Sequence, residues 1–276
     1  MNKFLSAHNH LNDLATNSYR ALNEGVYDVV EYDYVRHEAI GLRKSIIASP
    51  HAPLIAEIKF ASPSKGKIVE AGDRKIHNAP RLASMMIESG AIGLSILTQP
   101  YLFGGSPEYL GAVRKTISAP LLMKDIIVSE TQIDSAKRLG ADCILLIKSL
   151  FDNNLTEGSI EKFVEYTIKR DLQLVLEVHS EQEFREVLKS SVDTRRTLIG
   201  INNRDLLTLG VDIETTSNLL KKYDKGKNIV ISESGISKPE EIQSLKKAGA
   251  DAFLIGTSIM ESDNISSKIS ELYFAL

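Results

Sequence analysis

The strongest chemical signal in this 276-residue chain is a series of polar residues that each end or follow a short apolar run. In order they are Glu57 and Lys59, Thr98, Lys124 and Asp125, Lys148, Glu177 and His179, Asn202 and Arg204, Glu233 and Ser234, and Gly256 and Thr257. Glu57 and Glu177 interrupt stretches that otherwise read LIAEIK and LVLEVH. Burying a carboxylate there is costly unless it is paired, and Lys59 and Lys124 are the natural partners. Taken singly, each glutamate fits a structural ion pair. Taken together, acids and bases on one rim fit proton donation and proton removal at a single site. A glutamate buried there is expected to rise in pKa, and a lysine held near a second cation to fall towards neutrality. No H-x-x-x-H or C-x-x-C spacing occurs, so no metal is expected and His179 reads as a supporting residue. Nor is there a G-x-S-x-G nucleophile elbow. The last two exits, Glu233-Ser234-Gly235 and Gly256-Thr257-Ser258, offer glycine backbone, hydroxyls and helix starts, the chemistry of an anion cradle. Ser62-Pro63-Ser64-Lys65-Gly66 could add a hydroxyl from the opposite side, or serve as a mobile loop.

Positioning these residues requires a repeated βα unit. Ser89-Gly90-Ala91, Leu139-Gly140-Ala141-Asp142 and Ala248-Gly249-Ala250-Asp251 each read as a helix stopped by glycine and followed by an apolar strand. Eight strands are expected, at 54–59, 92–98, 120–125, 143–148, 173–178, 198–202, 228–232 and 252–256. Helices are expected at 79–89, 107–117, 129–139, 160–170, 180–189, 213–222, 237–248 and 263–275. Ser129-x-x-Gln132, Ser180-x-x-Glu183 and Ser237-x-x-Glu240 read as capping boxes at three helix starts. Eight such units fit a closed (β/α)8 TIM barrel, whose chemistry lies at the carboxyl ends of the strands. An open doubly wound sheet is the alternative, but no G-x-G-x-x-G follows the first strand.

The expected organisation is a single domain, 1–276, with a helical extension over 1–50 and the barrel over 51–276. The extension shows helical patches (Leu11, Leu14, Tyr19 and Leu22; then Val35, Ile40, Leu42 and Ile46) and the tyrosines Tyr27, Tyr32 and Tyr34. One or two helices over an end of the barrel follow, either as packing alone or as part of the site. Hydrophobic residues make up 43% of the chain without a long apolar run, which argues against a membrane span. A net charge of −3 gives no reason to expect nucleic acid or a membrane surface as partner. The lone Cys143 lies in a strand and reads as a core residue, and the polar-interrupted start does not read as a secretory signal. A reducing cytoplasm is the expected compartment.

These segments, in their order, resemble the indole-3-glycerol-phosphate synthase family. The likeness rests on Ile55-Ala56-Glu57-Ile58-Lys59 with Ser62-Pro63-Ser64, Leu94-Ser95-Ile96-Leu97-Thr98, Met123-Lys124-Asp125 and Leu176-Glu177-Val178-His179. It continues through Ile199-Gly200-Ile201-Asn202-Asn203-Arg204-Asp205-Leu206, Ser232-Glu233-Ser234-Gly235-Ile236 and Phe253-Leu254-Ile255-Gly256. The resemblance implies a cofactor-free ring closure of a phosphosugar, 1-(2-carboxyphenylamino)-1-deoxyribulose 5-phosphate, with loss of CO2 and water. It implies that Lys124 is the general acid and Glu177 its partner acid or base, with Lys59 a competing proton carrier. Glu57 would stabilise the developing cation, Asn202 would hold a substrate hydroxyl, and Ser234 would support that network. Ser62, Gly235, Gly256 and Thr257 would bind phosphate, and Phe103, Leu145, Arg204 and Leu206 would contact the substrate. The extension would help to close the site. Self-association or contact with other tryptophan-pathway enzymes is left open. Ile126 stands where the family usually has Phe, Gln99-Pro100-Tyr101-Leu102 replaces acidic and lysine positions, Phe60-Ala61 replaces a more basic pair, and Thr257 replaces a commoner Ser. Two other readings fit the residues alone: a Schiff-base isomerase or aldolase barrel, and a barrel that binds phosphosugars without turnover.

Overall fold

The structure is a computed structural model and describes residues 3–28, 37–62, 66–67, 75–190, 192–206 and 208–276. Its centre is a ring of eight parallel strands: β1 (Leu54–Ile58), β2 (Gly93–Leu97), β3 (Leu121–Lys124), β4 (Cys143–Ile147), β5 (Gln173–Val178), β6 (Thr197–Asn202), β7 (Val230–Glu233) and β8 (Ala252–Ile255). β1 pairs with both β8 and β2, which closes the barrel and rules out the open sheet. All eight expected strands form, within two residues of their expected ends.

The strands are apolar throughout because both faces are covered. Ile55, Leu122, Cys143, Leu145, Val175, Leu198, Ile231 and Leu254 pack together inside the barrel. Their neighbours Leu54, Ala56, Leu121, Ile144, Leu174, Ile199, Val230 and Phe253 pack outward under the helices. This period-two alternation decides which residue at each strand end enters the mouth.

The two helices before the barrel are α1 (Lys3–Asn23) and α2 (Leu42–Ala48). The longer helices between and after the strands are α3 (Lys75–Glu88), α4 (Pro107–Arg114), α5 (Glu130–Arg138), α6 (Ile160–Lys169), α7 (Glu181–Lys189), α8 (Glu214–Lys222), α9 (Pro239–Ala248) and α10 (Ile265–Tyr273). The short helices Pro100–Phe103, Lys148–Asp152 and Thr257–Met260 follow β2, β4 and β8. Gly90, Gly140 and Gly249 take positive φ angles of 117°, 86° and 115° after α3, α5 and α9, as the helix-stop motif requires. The capping boxes at Ser129 and Ser180 form. The one expected at Ser237-x-x-Glu240 does not. Pro239 starts α9, and Glu241 accepts the Ser237 and Lys238 amides at 2.6 and 2.9 Å.

The helical extension covers both ends of the barrel, where the sequence suggested one. α1 crosses the carboxyl end: Ser18 Oγ donates to the Ile126 carbonyl at 2.6 Å, just beyond β3. α2 lies at the amino end, where the Arg43 amide donates to Gln173 Oε1 at the start of β5. Asp142, at the start of β4, receives the Ile40 amide (2.7 Å), the Leu121 amide (2.9 Å) and the Arg114 guanidinium (2.8 Å), with His37 Nε2 at 2.9 Å. Tyr32, Tyr34 and Val35 lie outside the described residues.

Candidate active site

Alternation along the strands carries Glu57, Lys124, Glu177, Asn202 and Glu233 into one cavity at the carboxyl end, of about 570 Å3. That is the size of a small-molecule site. Its wall also includes Lys59, Phe103, Leu145, Arg204, Leu206, Ser234, Gly235, Gly256 and Thr257, so the residues expected at a site converge there. For Ser62 the structure describes the backbone, in a two-stranded ribbon with Gly66–Lys67, but not the side chain; Pro63, Ser64 and Lys65 lie outside the described residues.

Lys124 is the hub. Its Nζ lies 2.9 Å from Glu177 Oε2 and 2.7 Å from Glu233 Oε2. A second pair, Lys59 Nζ to Glu57 Oε1, measures 3.0 Å, and Ser95 Oγ donates to the other Glu57 oxygen at 3.4 Å. Both expected partnerships form, but the expected fall in the lysine pKa does not. Burial alone would lower Lys124, yet the attraction of Glu177, Glu233 and Glu57 outweighs it and raises the group above its ordinary value. The two glutamates diverge. Burial pushes Glu233 up to about 8, with Glu177 adding repulsion and Lys124 opposing. Burial also acts on Glu177, but Lys124 and His179, whose Nε2 is 3.1 Å away, hold that carboxyl well below the usual range. One lysine thus bridges two carboxyl groups whose pKa values are pushed in opposite directions.

Two glycines make room for this arrangement. A Cβ on Gly200 would lie 2.1 Å from Glu233 Oε1, and one on Gly256 would lie 2.6 Å from Glu57 Oε1. Gly256 therefore leaves room for the Glu57 side chain as well as beginning its own loop.

On one side of the cluster the chain turns sharply. Ser234 and Gly235 take consecutive positive φ angles of 70° and 86°, and Asn203 Nδ2 holds the Ser234 carbonyl at 2.9 Å. Ser258 Oγ, in the short helix Thr257–Met260, donates to the Ile236 carbonyl at 2.9 Å and ties the two loops together. The rim they form carries the Ser234, Ser237, Thr257 and Ser258 side chains. Phe103, Ile126, Leu145 and Leu206 add apolar lining to the same cavity. Burial lowers Arg204, whose Nη1 donates to the Leu209 carbonyl at 2.7 Å.

Two of the exit residues do not line the cavity. Lys148 turns outward, starts the short helix Lys148–Asp152, and pairs with Asp152 (2.7 Å) and Glu186 (2.6 Å). It follows the inward-facing Ile147, so alternation takes it off the site. Thr98 is buried and bonds Asp125. His179 stays on the cavity wall, beside Glu177. The sequence reading gave Glu233 no role and missed His10 and Leu14, which α1 adds to the cavity wall. Glu233 had a signal, its position at a strand exit. His10 and Leu14 had none, because their location depends on how α1 docks. Among the described residues, no group of three His, Cys, Asp or Glu is placed to hold a metal ion.

Comparison with known proteins agrees with this geometry. The family model for indole-3-glycerol phosphate synthase matches residues 20–272. The chain is 40% identical to the indole-3-glycerol phosphate synthase of Methanocaldococcus jannaschii over 246 residues, 88% of this chain and 87% of that protein. It is 42% identical to that of Aquifex aeolicus over 220 residues, 79% of this chain and 80% of that protein. A solved structure described as "Native KDPGal structure" shares the fold at a TM-score of 0.51 and 13% identity, covering 81% of this chain and 91% of that one. With this coverage and identity, the chain belongs to the indole-3-glycerol phosphate synthase family.

Proposed function

We propose that this protein closes the pyrrole ring of 1-(2-carboxyphenylamino)-1-deoxyribulose 5-phosphate, using its own acids and bases and no cofactor, to give indole-3-glycerol phosphate, CO2 and water. The observation that carries the reading is the Lys124 ammonium held between Glu177 and Glu233, two carboxyl groups with opposite pKa shifts. Family membership supports the same reaction.

Ring closure needs a stronger electrophile, and in this reading Lys124 protonates the ribulose carbonyl as the aromatic carbon attacks. Its raised pKa keeps it charged before substrate binds. A protonated Glu233 leaves fewer negative charges around the ammonium, which eases release of its proton. CO2 then leaves with little help, since its loss restores aromaticity. Dehydration needs a base for the ring proton and an acid for the departing hydroxyl. Glu177, held as a carboxylate, is the base; Lys59, oriented by Glu57, is the acid. Glu57 also stabilises the cationic intermediate. Asn202 holds a substrate hydroxyl, and Ser234 supports it.

The phosphate occupies the rim at Gly235, Gly256 and Thr257, and Ser62 is assigned to the same group from the family resemblance. Backbone amides and hydroxyls there suit an anion. Anchoring the phosphate lets remote binding energy hold a flexible substrate folded for attack. Phe103, Leu145 and Leu206 pack against the anthranilate ring, and Arg204 offers positive charge to an anionic group. A Schiff-base reading requires a lysine that sheds its proton, and the surroundings of Lys124 act in the opposite direction. No helix among the described residues is long and apolar enough to cross a membrane. We assign the protein to the cytoplasm, beside other enzymes of tryptophan synthesis.

The test is growth of indole fluorescence when purified protein meets the substrate in the presence of EDTA. Sustained growth is expected. A folded protein that gives none, or that gives growth only after metal is restored, would overturn the reading.

A further inference from the structure

We infer that Tyr27, contributed by the segment after α1, is a positioning residue for Lys124 and acts through the side chain of Asp125. The inference rests on the proposed reaction and extends it to a residue outside the cavity.

Asp125 follows Lys124 directly, and its side chain is bound on every side. Oδ2 receives the Tyr27 hydroxyl at 2.9 Å and also the Thr98 hydroxyl. Oδ1 receives the Ile126 amide at 2.7 Å. Asp125 is 2% exposed and Tyr27 3%. Among the described residues no lysine or arginine forms an ion pair with Asp125. A buried carboxylate without a cation keeps its charge through its hydrogen-bond donors alone. Here two of the three come from outside β3: Thr98 from the end of β2, Tyr27 from the N-terminal segment.

The same exit is held from both sides. Ser18 Oγ and Gln132 Nε2 both donate to the Ile126 carbonyl, at 2.6 and 3.0 Å, and the Thr98 amide donates to the Lys124 carbonyl at 3.1 Å. The backbone from Lys124 to Ile126 is therefore fixed by β2, by α5 and by the N-terminal segment. Lys124 must hold its Nζ within hydrogen-bonding reach of Glu177 and Glu233 across the barrel, so a shift at this exit moves the acid. A misplacement of about 1 Å can cost a factor of about a hundred in rate.

A buried phenol needs an acceptor, and among the described residues Asp125 is the one it has, with Gln132 also hydrogen-bonded to the phenol. Removing the Tyr27 hydroxyl takes away one of the contacts that hold the Asp125 carboxyl down, and that carboxyl already stands at about 6 because of burial. It would then bind a proton at higher pH, and one of its oxygens would become a donor facing the Thr98 hydroxyl or the Ile126 amide. The titratable groups around it are Tyr27, Lys124 beside it on the chain and, beyond the phenol, Tyr101 in the short helix after β2; His10 of α1 faces the same cavity.

The experiment compares kcat, KM and the acid limb of the pH–rate profile for the full chain, Tyr27→Phe and Tyr19→Phe. Tyr19 is the control: its hydroxyl also ties α1 to the barrel, but at the Leu155 carbonyl (3.4 Å), beyond β4, and not at the β3 exit. For Tyr27→Phe we expect kcat to fall about fivefold or more with KM within about twofold, and the acid limb to move to higher pH. Tyr19→Phe should change neither. A Tyr27→Phe protein whose kcat and acid limb match the full chain, or whose losses Tyr19→Phe reproduces, overturns the inference while leaving the proposed reaction intact. A full chain that does not turn the substrate over removes the reaction itself, and the inference with it.

Discussion

At Glu233, burial and a neighbouring cation pull in opposite directions, and burial wins. The fold raises its carboxyl from 4.5 to about 8. The folded chain binds this proton more tightly than the unfolded chain, so the group's contribution to stability is complete below about 4.5 and lost as pH rises through about 8. The catalytic consequence has the same sign. Loss of the proton adds a negative charge beside Lys124, strengthens the lysine's hold on its own proton and weakens it as an acid. Turnover is therefore expected to fall as pH rises through about 8. Glu233→Gln, neutral at every pH, should abolish that alkaline limb in kcat/KM; a limb that survives the substitution belongs to another group. Gly256 needs a different argument from the one its sequence suggests. A side chain there meets the Glu57 carboxylate before it meets a phosphate, so substitution perturbs kcat together with KM.

The elements were legible wherever the signal is local. Glycine in the left-handed region after α3, α5 and α9 follows from its missing Cβ, and the eight strands follow from short apolar runs between those stops. The start of α9 was not legible. Ser237 and Glu240 have the right spacing for a box, but proline is favoured in the first helical turn, and Pro239 sets the helix start so that Glu241 takes over the capping. Glu241→Ala should then lower stability by about 1 kcal/mol, whereas Glu240→Ala at an exposed position should leave it nearly unchanged. Thermal unfolding of the two variants separates the cases, and equal effects would contradict this cap. The site was legible in its members and less so in its connections. Which residues stand at strand exits is written in the chain, and alternation sends Lys124 inward and Lys148 outward. That Lys124 reaches two glutamates, and so rises in pKa, depends on distances across the barrel that no local pattern encodes.

Across the whole molecule, the N-terminal segment belongs to both ends of the barrel. α1 closes part of the mouth with His10 and Leu14, and the stretch from His37 to α2 binds the amino end through Asp142. We read the chain as one domain on this basis. Thermal unfolding followed by far-ultraviolet and near-ultraviolet circular dichroism should then give one coincident transition; an early, separate loss of signal from the N-terminal segment would contradict it. The same segment reaches the chemistry through Tyr27 and Asp125, so packing and catalysis share residues. The measurement that bears most directly on the proposed reaction is kcat for Lys124→Ala against the unaltered chain, under saturating substrate, with circular dichroism to verify folding. Loss of the general acid should lower kcat by about a hundredfold or more. A folded Lys124→Ala protein that retains kcat within about fivefold would show that the proton comes from elsewhere.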